Sequence, residues 1–286
     1  MPGSWNKYRT AAMKTAATVP GVRRIAQLGG RLWGQSPQFR DVYTREAPSS
    51  STPFNIFKDA WSSAVPGFES GSAPLFDDAR IKWLETRLGS YSGRRVLELG
   101  PLEGGHTYMM ERAGADVIAI EANQRAFLKC LIVKDALHLK SEFLYGDFRP
   151  YVETAAPGRF DFVLAVGVLY HMLEPLKLLH DIARVTDAFG LWTHYYDRDI
   201  MRDKLRFDSQ PVIQTVEGKS AEVYKQYYLS SGGTAKFCGG TEPTSCWVAK
   251  DGLLQYVKGL GFEVQVGEDN SQHPNGPSIL LFARRV

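Results

Sequence analysis

The chain has 286 residues, 44% of them hydrophobic and 23% charged, and a net charge of +3. That length and apolar content support a sizeable core and exclude a largely disordered chain, and no apolar run approaches the roughly 18 to 20 residues that span a bilayer. Three cysteines, Cys130, Cys238 and Cys246, make an odd number without a CxxC pair, which suits a reducing, cytoplasmic setting better than a disulfide framework or a structural zinc site, and no metal is expected.

Charge is unevenly spread. Residues 1–40 carry Lys7, Arg9, Lys14, Arg23, Arg24, Arg31 and Arg40 and no acid, so the remainder is net acidic, which argues against a nucleic-acid-coating surface. An acid-free start of this kind reads as a solvated or partner-docked extension, as a contact for an anionic membrane surface, or as a targeting peptide; Pro20 and Gly29-Gly30 interrupt it. "REAPSSSTP" at 45–53 is loop-like, and an aromatic, loop-rich segment follows with Phe54, Phe57, Trp61 and Phe68. The expected division is an N-terminal extension and aromatic segment over 1–75 and a catalytic body over 76–286.

The body alternates. "DDARIKWLETRLGS" predicts a helix started by Asp77 or Asp78 and ended by Gly89. "RRVLELG", "DVIAIE", "SEFLYGDF", "FDFVLAVGVL" and "FGLWTHYY" read as strands, and "HTYMMERAG", "QRAFLKCLIVKDALHL" and "LEPLKLLHDIARVTD" as the helices between them. "KDGLLQYVKGLG" is a last helix, followed by strands "FEVQV" and "PSILLFA". Strands alternating with helices predict an α/β, Rossmann-like sheet of seven mostly parallel strands, covered on both faces, with an antiparallel C-terminal strand. Ligands of such sheets bind at the carboxyl ends of the strands.

Several residues gather there. The first strand ends at Gly100 and turns through Pro101-Leu102-Glu103 to Gly104-Gly105, a path that lets backbone approach a ligand without Cβ interference. Glu121 ends the second strand, where a carboxylate can accept from both hydroxyls of a ribose or simply face solvent. Asp147 and Phe148 end the third, offering a purine an acceptor and a stacking face, unless Asp147 only caps the next turn. Gly167, Leu169, Tyr170 and His171 crowd the turn after the fourth. His171 and His194, both following strands at the carboxyl edge, are the candidate general bases, with Tyr170 beside them, although each histidine can equally be structural. His106 reads as a helper of the cofactor or a helix cap, and His273 as a surface or packing residue.

On these residues the chain resembles class I S-adenosylmethionine-dependent methyltransferases over roughly 76–286: "VLELGPLEGG", "IE" at 120–121, "GDF" and "FDFVLAVGVLYHMLEP" match the family's first four motifs. The resemblance implies S-adenosyl-L-methionine as cofactor, with Glu98 near its methionine amino group, Gly100 and Gly104 shaping the pocket, Glu121 on the ribose, Asp147 on the adenine amino group and Phe148 on the adenine face. Leu102 departs from it, because the family has glycine there. A nicotinamide dinucleotide fits poorly: the spacing is G-x-x-x-G-G, and Glu103 in the loop would repel a diphosphate.

The expected reaction is in-line methyl transfer to a small organic acceptor, most readily at oxygen. "GVLYHMLEP" also resembles the turn of tRNA wobble-uridine carboxymethyl transferases, which need a cation for an extra carboxylate; no residue is assigned to that duty. A cofactor-binding protein without turnover is a further reading. Residues 198–246 form a long insert whose Tyr224, Tyr227, Tyr228 and Phe237, with Trp247 and the pairs Gly232-Gly233 and Gly239-Gly240, would suit either a lid or a folded extension.

Overall fold

The computed structural model describes residues 42–201, 206–208, 210–227, 242 and 244–286. Within the unit spanning Pro48–Val286, five strands follow one another in the predicted order: β1 (Arg95–Leu99), β2 (Asp116–Glu121), β3 (Glu142–Tyr145), β4 (Phe162–Val166) and β5 (Ala188–His194). Helices α1 (Ala79–Leu88), α2 (Gly105–Arg112), α3 (Gln124–Ala136), α4 (Phe148–Thr154) and α5 (Pro175–Val185) lie before and between them. After β5 come a single turn, α6 (Arg198–Met201), then β6 (Val212–Val216), β7 (Lys219–Tyr227), β8 (Thr244–Val248), α7 (Lys250–Gly259), β9 (Phe262–Asn270) and β10 (Ser278–Arg285).

The main sheet has the order β3-β2-β1-β4-β5-β10-β9. β1 to β5 pair in parallel, and β10 inserts antiparallel between β5 and β9. The chain leaves β1 toward β2 on one side and reaches β4 on the other, which opens the ligand crevice at the carboxyl ends of β1 and β4.

Both faces of the sheet are buried, and the period-two alternation of the strands sorts their side chains. Leu97 and Leu99 of β1 and Val163 and Ala165 of β4 join Leu176, Leu179 and Ile182 of α5 in one core. Val96, Phe162 and Leu164 join Ile81, Leu84 and Leu88 of α1 in the other. Each of these side chains larger than alanine contributes about 1.5–3 kcal/mol by leaving water. α1 starts at Asp78, whose carboxylate accepts from the Arg80 N–H, and ends at Gly89 with φ +99°.

One expectation needs correction, and one open alternative is narrowed. The compact unit starts at Pro48, not at 76, because the aromatic segment is part of it: Phe54, Trp61, Val65 and Phe76 are buried against Cys130 and Val133 of α3 and Phe143 of β3. The basic residues 1–40 lie outside the described residues. The described part of the insert is a folded extension, an antiparallel sheet β6-β7-β8; Tyr224 stacks on Tyr196 at 3.5 Å and both are buried with Trp247, so these aromatics pack inward. Tyr228, Phe237 and both glycine pairs lie outside the described residues. The β6–β7 hairpin turns through Glu217 (φ +48°) and Gly218 (φ +74°), the geometry a two-residue hairpin with right-handed strand twist requires. Among the described residues no helix is long and apolar enough to cross a membrane.

The aromatic segment is tied down by a buried ion pair. Lys129 Nζ of α3 lies 2.7 Å from Glu103 Oε1, with the two residues 5% and 1% exposed. Glu103 also accepts from the backbone N–H groups of Ser62 (3.0 and 3.2 Å) and Ser63 (2.7 Å), and Lys129 donates to the Ala60 carbonyl and lies over the Trp61 ring. Removing one member strands a buried charge. Lys129→Met is expected to lower the unfolding free energy by about 3–5 kcal/mol, read from urea titrations, and adding Glu103→Gln should recover part of the loss; a single variant as stable as the parent would refute this role.

Candidate active site

Gly100, directly after β1, has φ +68°, and a Cβ on it would stand 2.7 Å from Val168 Cγ1. The turns after β1 and β4 therefore nest against each other, and only glycine fits between them. Leu102, where the resemblance calls for glycine, holds a left-handed backbone regardless, φ +58°, at a cost of about 1–2 kcal/mol. Two contacts offset that strain: its N–H donates to Glu121 Oε2 at 3.1 Å, and its carbonyl accepts from Cys130 Sγ at 3.6 Å. Gly104, φ +76°, begins α2 with Phe143 packed close against it.

Glu121 closes β2 with one oxygen on the Leu102 N–H and the other on that of Asn123, 2.7 Å away. Burial pushes its pKa up while these backbone donors pull it down. A carboxylate oxygen accepts more than one hydrogen bond, so both retain capacity for a pair of ligand hydroxyls. Glu103 points away, into its pair with Lys129. The expectation that its charge repels a diphosphate therefore fails, since cation and backbone donors already neutralise it; the glycine spacing still separates this turn from a dinucleotide site.

Beneath the turn runs a buried polar chain. Thr107 of α2 donates to Glu98, which is 2% exposed and whose pKa burial pushes up. His106 Nδ1 stands 3.8 Å from Glu98, and its Nε2 is 2.9 Å from Asp78 Oδ2. Asp78 takes the guanidinium fork of Arg80 at 2.6–3.0 Å; burial opposes its charge, but His106 and Arg80 hold its pKa well below the usual carboxylate range. Sequence reasoning saw Asp78 only as a helix start and missed Arg80, because the stretch of α1 and its following turn that separates them from β1 conceals that α1 begins beside the glycine turn.

Asp147 and Phe148 stand beside Glu121, since the Gly146 N–H donates to the Glu121 carbonyl at 3.0 Å. Asp147 caps α4 through the Arg149 N–H (2.9 Å) and pairs with the Arg149 side chain (2.6 Å), the structural alternative recognised for it. Phe148 is 7% exposed, within the core around Leu99 and Ile120. Gly167, φ +87°, faces the Tyr170 hydroxyl.

On the other side of the crevice, aromatic rings collect around His194. Tyr170, Trp192 and His273 have centroids 4.7, 5.0 and 5.0 Å from it, and Trp247 stacks on it at 4.9 Å and 8°. His171 reaches this group through Tyr170, 4.2 Å away. His194 Nδ1 lies 2.8 Å from the Gly276 carbonyl and 3.1 Å from that of Pro277. Carbonyls only accept, so Nδ1 carries the hydrogen and the neutral ring has its lone pair on Nε2. Burial, with neighbouring His273 and Arg206, lowers the His194 pKa from 6.5 to about 4 despite the two carbonyls, and burial followed by His194 does the same to His171. Trp192 also joins the two halves, with the Arg80 guanidinium 4.9 Å over its ring.

The structure thus brings Glu98, Gly100, Gly104, Glu121 and Asp147 to one side of the strand ends and Tyr170, His171 and His194 to the other. Trp192, Arg206 and the stack of Trp247 on His194 were missed; an indole in "FGLWTHYY" two residues before a candidate base was the available signal. Cys246 is buried, and Cys238 lies outside the described residues. A cleft of about 680 Å³, lined among others by Asp197, Arg198, Glu222 and Lys250, contains none of the predicted site residues.

Residues 97–192 match the family described as a methyltransferase domain. The ubiquinone biosynthesis O-methyltransferase of Bordetella pertussis is 31% identical over 133 residues, 44% of this chain and 53% of its own length. The tRNA U34 carboxymethyltransferase of Alcanivorax borkumensis is 34% identical over 129 residues, 43% of this chain and 39% of its own. The chain spans about half the length, or less, of these curated relatives. Among solved structures, the N-terminal domain of EvdMO1, crystallised in the presence of SAH and D-fucose, is 25% identical with a TM-score of 0.59, covering 84% of this chain and 100% of that one. This strand order and this matched segment identify a methyltransferase domain of Rossmann-like, class I fold, with residues 97–192 as the matched part.

Proposed function

We propose that this protein transfers the methyl group of S-adenosylmethionine to an oxygen of a small organic acceptor, with His194 as general base. The observation that carries the reading is the tautomer of His194: a buried imidazole whose Nδ1–H is committed to two backbone carbonyls keeps its basic nitrogen available at the carboxyl edge of the sheet.

The cofactor side supports it. The turn lacks side chains at Gly100 and Gly104, where backbone must approach a ligand, and Glu121 has acceptor capacity for a ribose. Glu98 and His106 lie under the turn to meet the methionine end. Asp147 would receive an adenine amino group by sharing its carboxylate with Arg149, and Phe148 would meet the ring with the small part of its surface that the core leaves open.

S-adenosylmethionine, when bound, supplies a methyl group already activated on a sulfonium. The chain's own residues must then orient the acceptor, exclude water and take a proton. Tyr170, Trp192 and Trp247 wall the acceptor side. His194 Nε2 takes the hydroxyl proton as the oxygen attacks, and His171 is the second candidate. A base this weak favours an acidified hydroxyl, a phenol or enol, over an aliphatic alcohol. The tRNA reading rests on the matched relative of that name. Incubating the protein with methyl-labelled cofactor and either metabolite extract or an RNA fraction separates the two, and label in neither would identify a binding protein.

Glu121→Ala is expected to weaken S-adenosylhomocysteine binding by about tenfold or more by calorimetry, because a charge-assisted hydrogen bond contributes about 1.5–3 kcal/mol; an unchanged affinity would overturn the ribose assignment. His194→Gln should lower kcat at saturating cofactor by about 10²–10⁴-fold, and undiminished turnover in both this variant and His171→Gln would remove the base. Both rings stay neutral in the folded protein down to about pH 4 but protonate near 6.5 when unfolded. The unfolded chain therefore binds more protons between those values, and stability should fall as pH drops through that window. Urea titrations at successive pH values should show a slope that His194→Gln reduces.

A further inference from the structure

Arg206 stands out from the other arginines near the site. Arg80 is paired with Asp78 and Arg149 with Asp147. Arg206 has no carboxylate of the described residues within ion-pair distance. It donates to the Asn275 carbonyl at 2.8 Å, and its guanidinium lies 5.3 Å from the Phe207 ring and 5.5 Å from the Trp247 ring. Burial lowers its pKa, and no acid among the described residues opposes that effect. Aromatic faces desolvate a guanidinium without neutralising it, so a positive charge remains beside His194, where it helps to hold that ring neutral.

A second observation lies on the same wall. The Trp247 ring is 2% exposed, and its Nε1–H is buried with no hydrogen-bond partner. A buried indole donor left without an acceptor opposes folding. Such groups are retained where something else accepts from them. Phe207 packs on Trp247 at 4.9 Å and Trp247 stacks on His194, so the Trp247 indole is in contact with both the cation's aromatic platform and the base.

We infer that the acceptor carries a carboxylate as well as its hydroxyl, and that Arg206, with the Trp247 indole beside it, recognises that group. This rests on the methyl-transfer reading for the hydroxyl, but not for the anion. A planar guanidinium fork matches a carboxylate, and one uncompensated cation neutralises one negative charge; a dianionic phosphate in this half-buried setting would leave a net charge behind. A carboxylate at Arg206 would also cancel the field that Arg206 exerts on His194 and make it a stronger base when the acceptor is present. Arg206 is thereby a specificity residue.

The test is equilibrium binding, followed by tryptophan fluorescence in the presence of S-adenosylhomocysteine, of 3-hydroxybenzoate and its uncharged isostere 3-hydroxybenzamide. The protein should bind the acid at least about tenfold more tightly, Arg206→Gln should bring the two affinities together, and Arg206→Lys should retain part of the difference. Equal affinities for the parent protein, no binding of the acid at millimolar concentration, or a preference that survives Arg206→Gln in a variant that melts cooperatively would each overturn the inference. The comparison of two ligands on the parent protein needs no variant to fold. Retained preference for the acid with no methyl transfer in the labelled-cofactor assay would overturn the catalytic reading and leave the anion site standing.

Discussion

The geometry of the glycine turn after β1 depends on one buried ion pair, Glu103 with Lys129. The turn itself is strained at Leu102 and crowded at Gly100, and short loops with left-handed residues keep a single shape only when their surroundings over-determine them. Here the determination comes from a carboxylate inside the loop that reaches a lysine on α3 and the backbone of residues 62–63 at once. The aromatic segment, the loop and α3 are thereby locked into one piece. The desolvation of both ions is met because the backbone N–H donors and the Ala60 carbonyl satisfy what the pair leaves over.

A second polar chain, from Thr107 through Glu98, His106 and Asp78 to Arg80, carries that rigidity toward the aromatic group around His194. Arg80 ends it over the ring of Trp192, which touches both Tyr170 and His194. The two halves of the crevice are therefore connected by contacts that a packed core alone would not supply. Their electrostatics differ. The half around the glycine turn is rich in carboxylates, several with cationic partners; the half around His194 is aromatic, with neutral imidazoles and, in Arg206, a guanidinium that has no counter-ion among the described residues.

Much of the fold was legible because it rests on local patterns. The strands β1, β2, β4 and β5 are apolar runs of the length a doubly covered sheet requires, and Asp78 and Gly89 mark the ends of α1 by capping. The β6–β7 hairpin was also written in the chain, as alternation around Glu217-Gly218, but its polar strands lack the apolar run that announces a core strand. The packing of residues 48–75 was not readable, since loops rich in proline and serine have no periodicity to say what they bury.

Taken alone, the order of residues determined which side chains end the strands: Gly100, Glu121, Asp147, Gly167 and His194 stand at carboxyl ends because strand period and turn chemistry are local. Only the tertiary structure decided what those side chains do there. It turned Glu103 inward to Lys129, gave Asp147 to Arg149, set the tautomer of His194 through carbonyls more than 80 residues away, and left Arg206 without a counter-ion among the described residues. Charge state and hydrogen-bond partners are properties of the neighbours a group acquires when distant segments pack, and no local pattern encodes those neighbours.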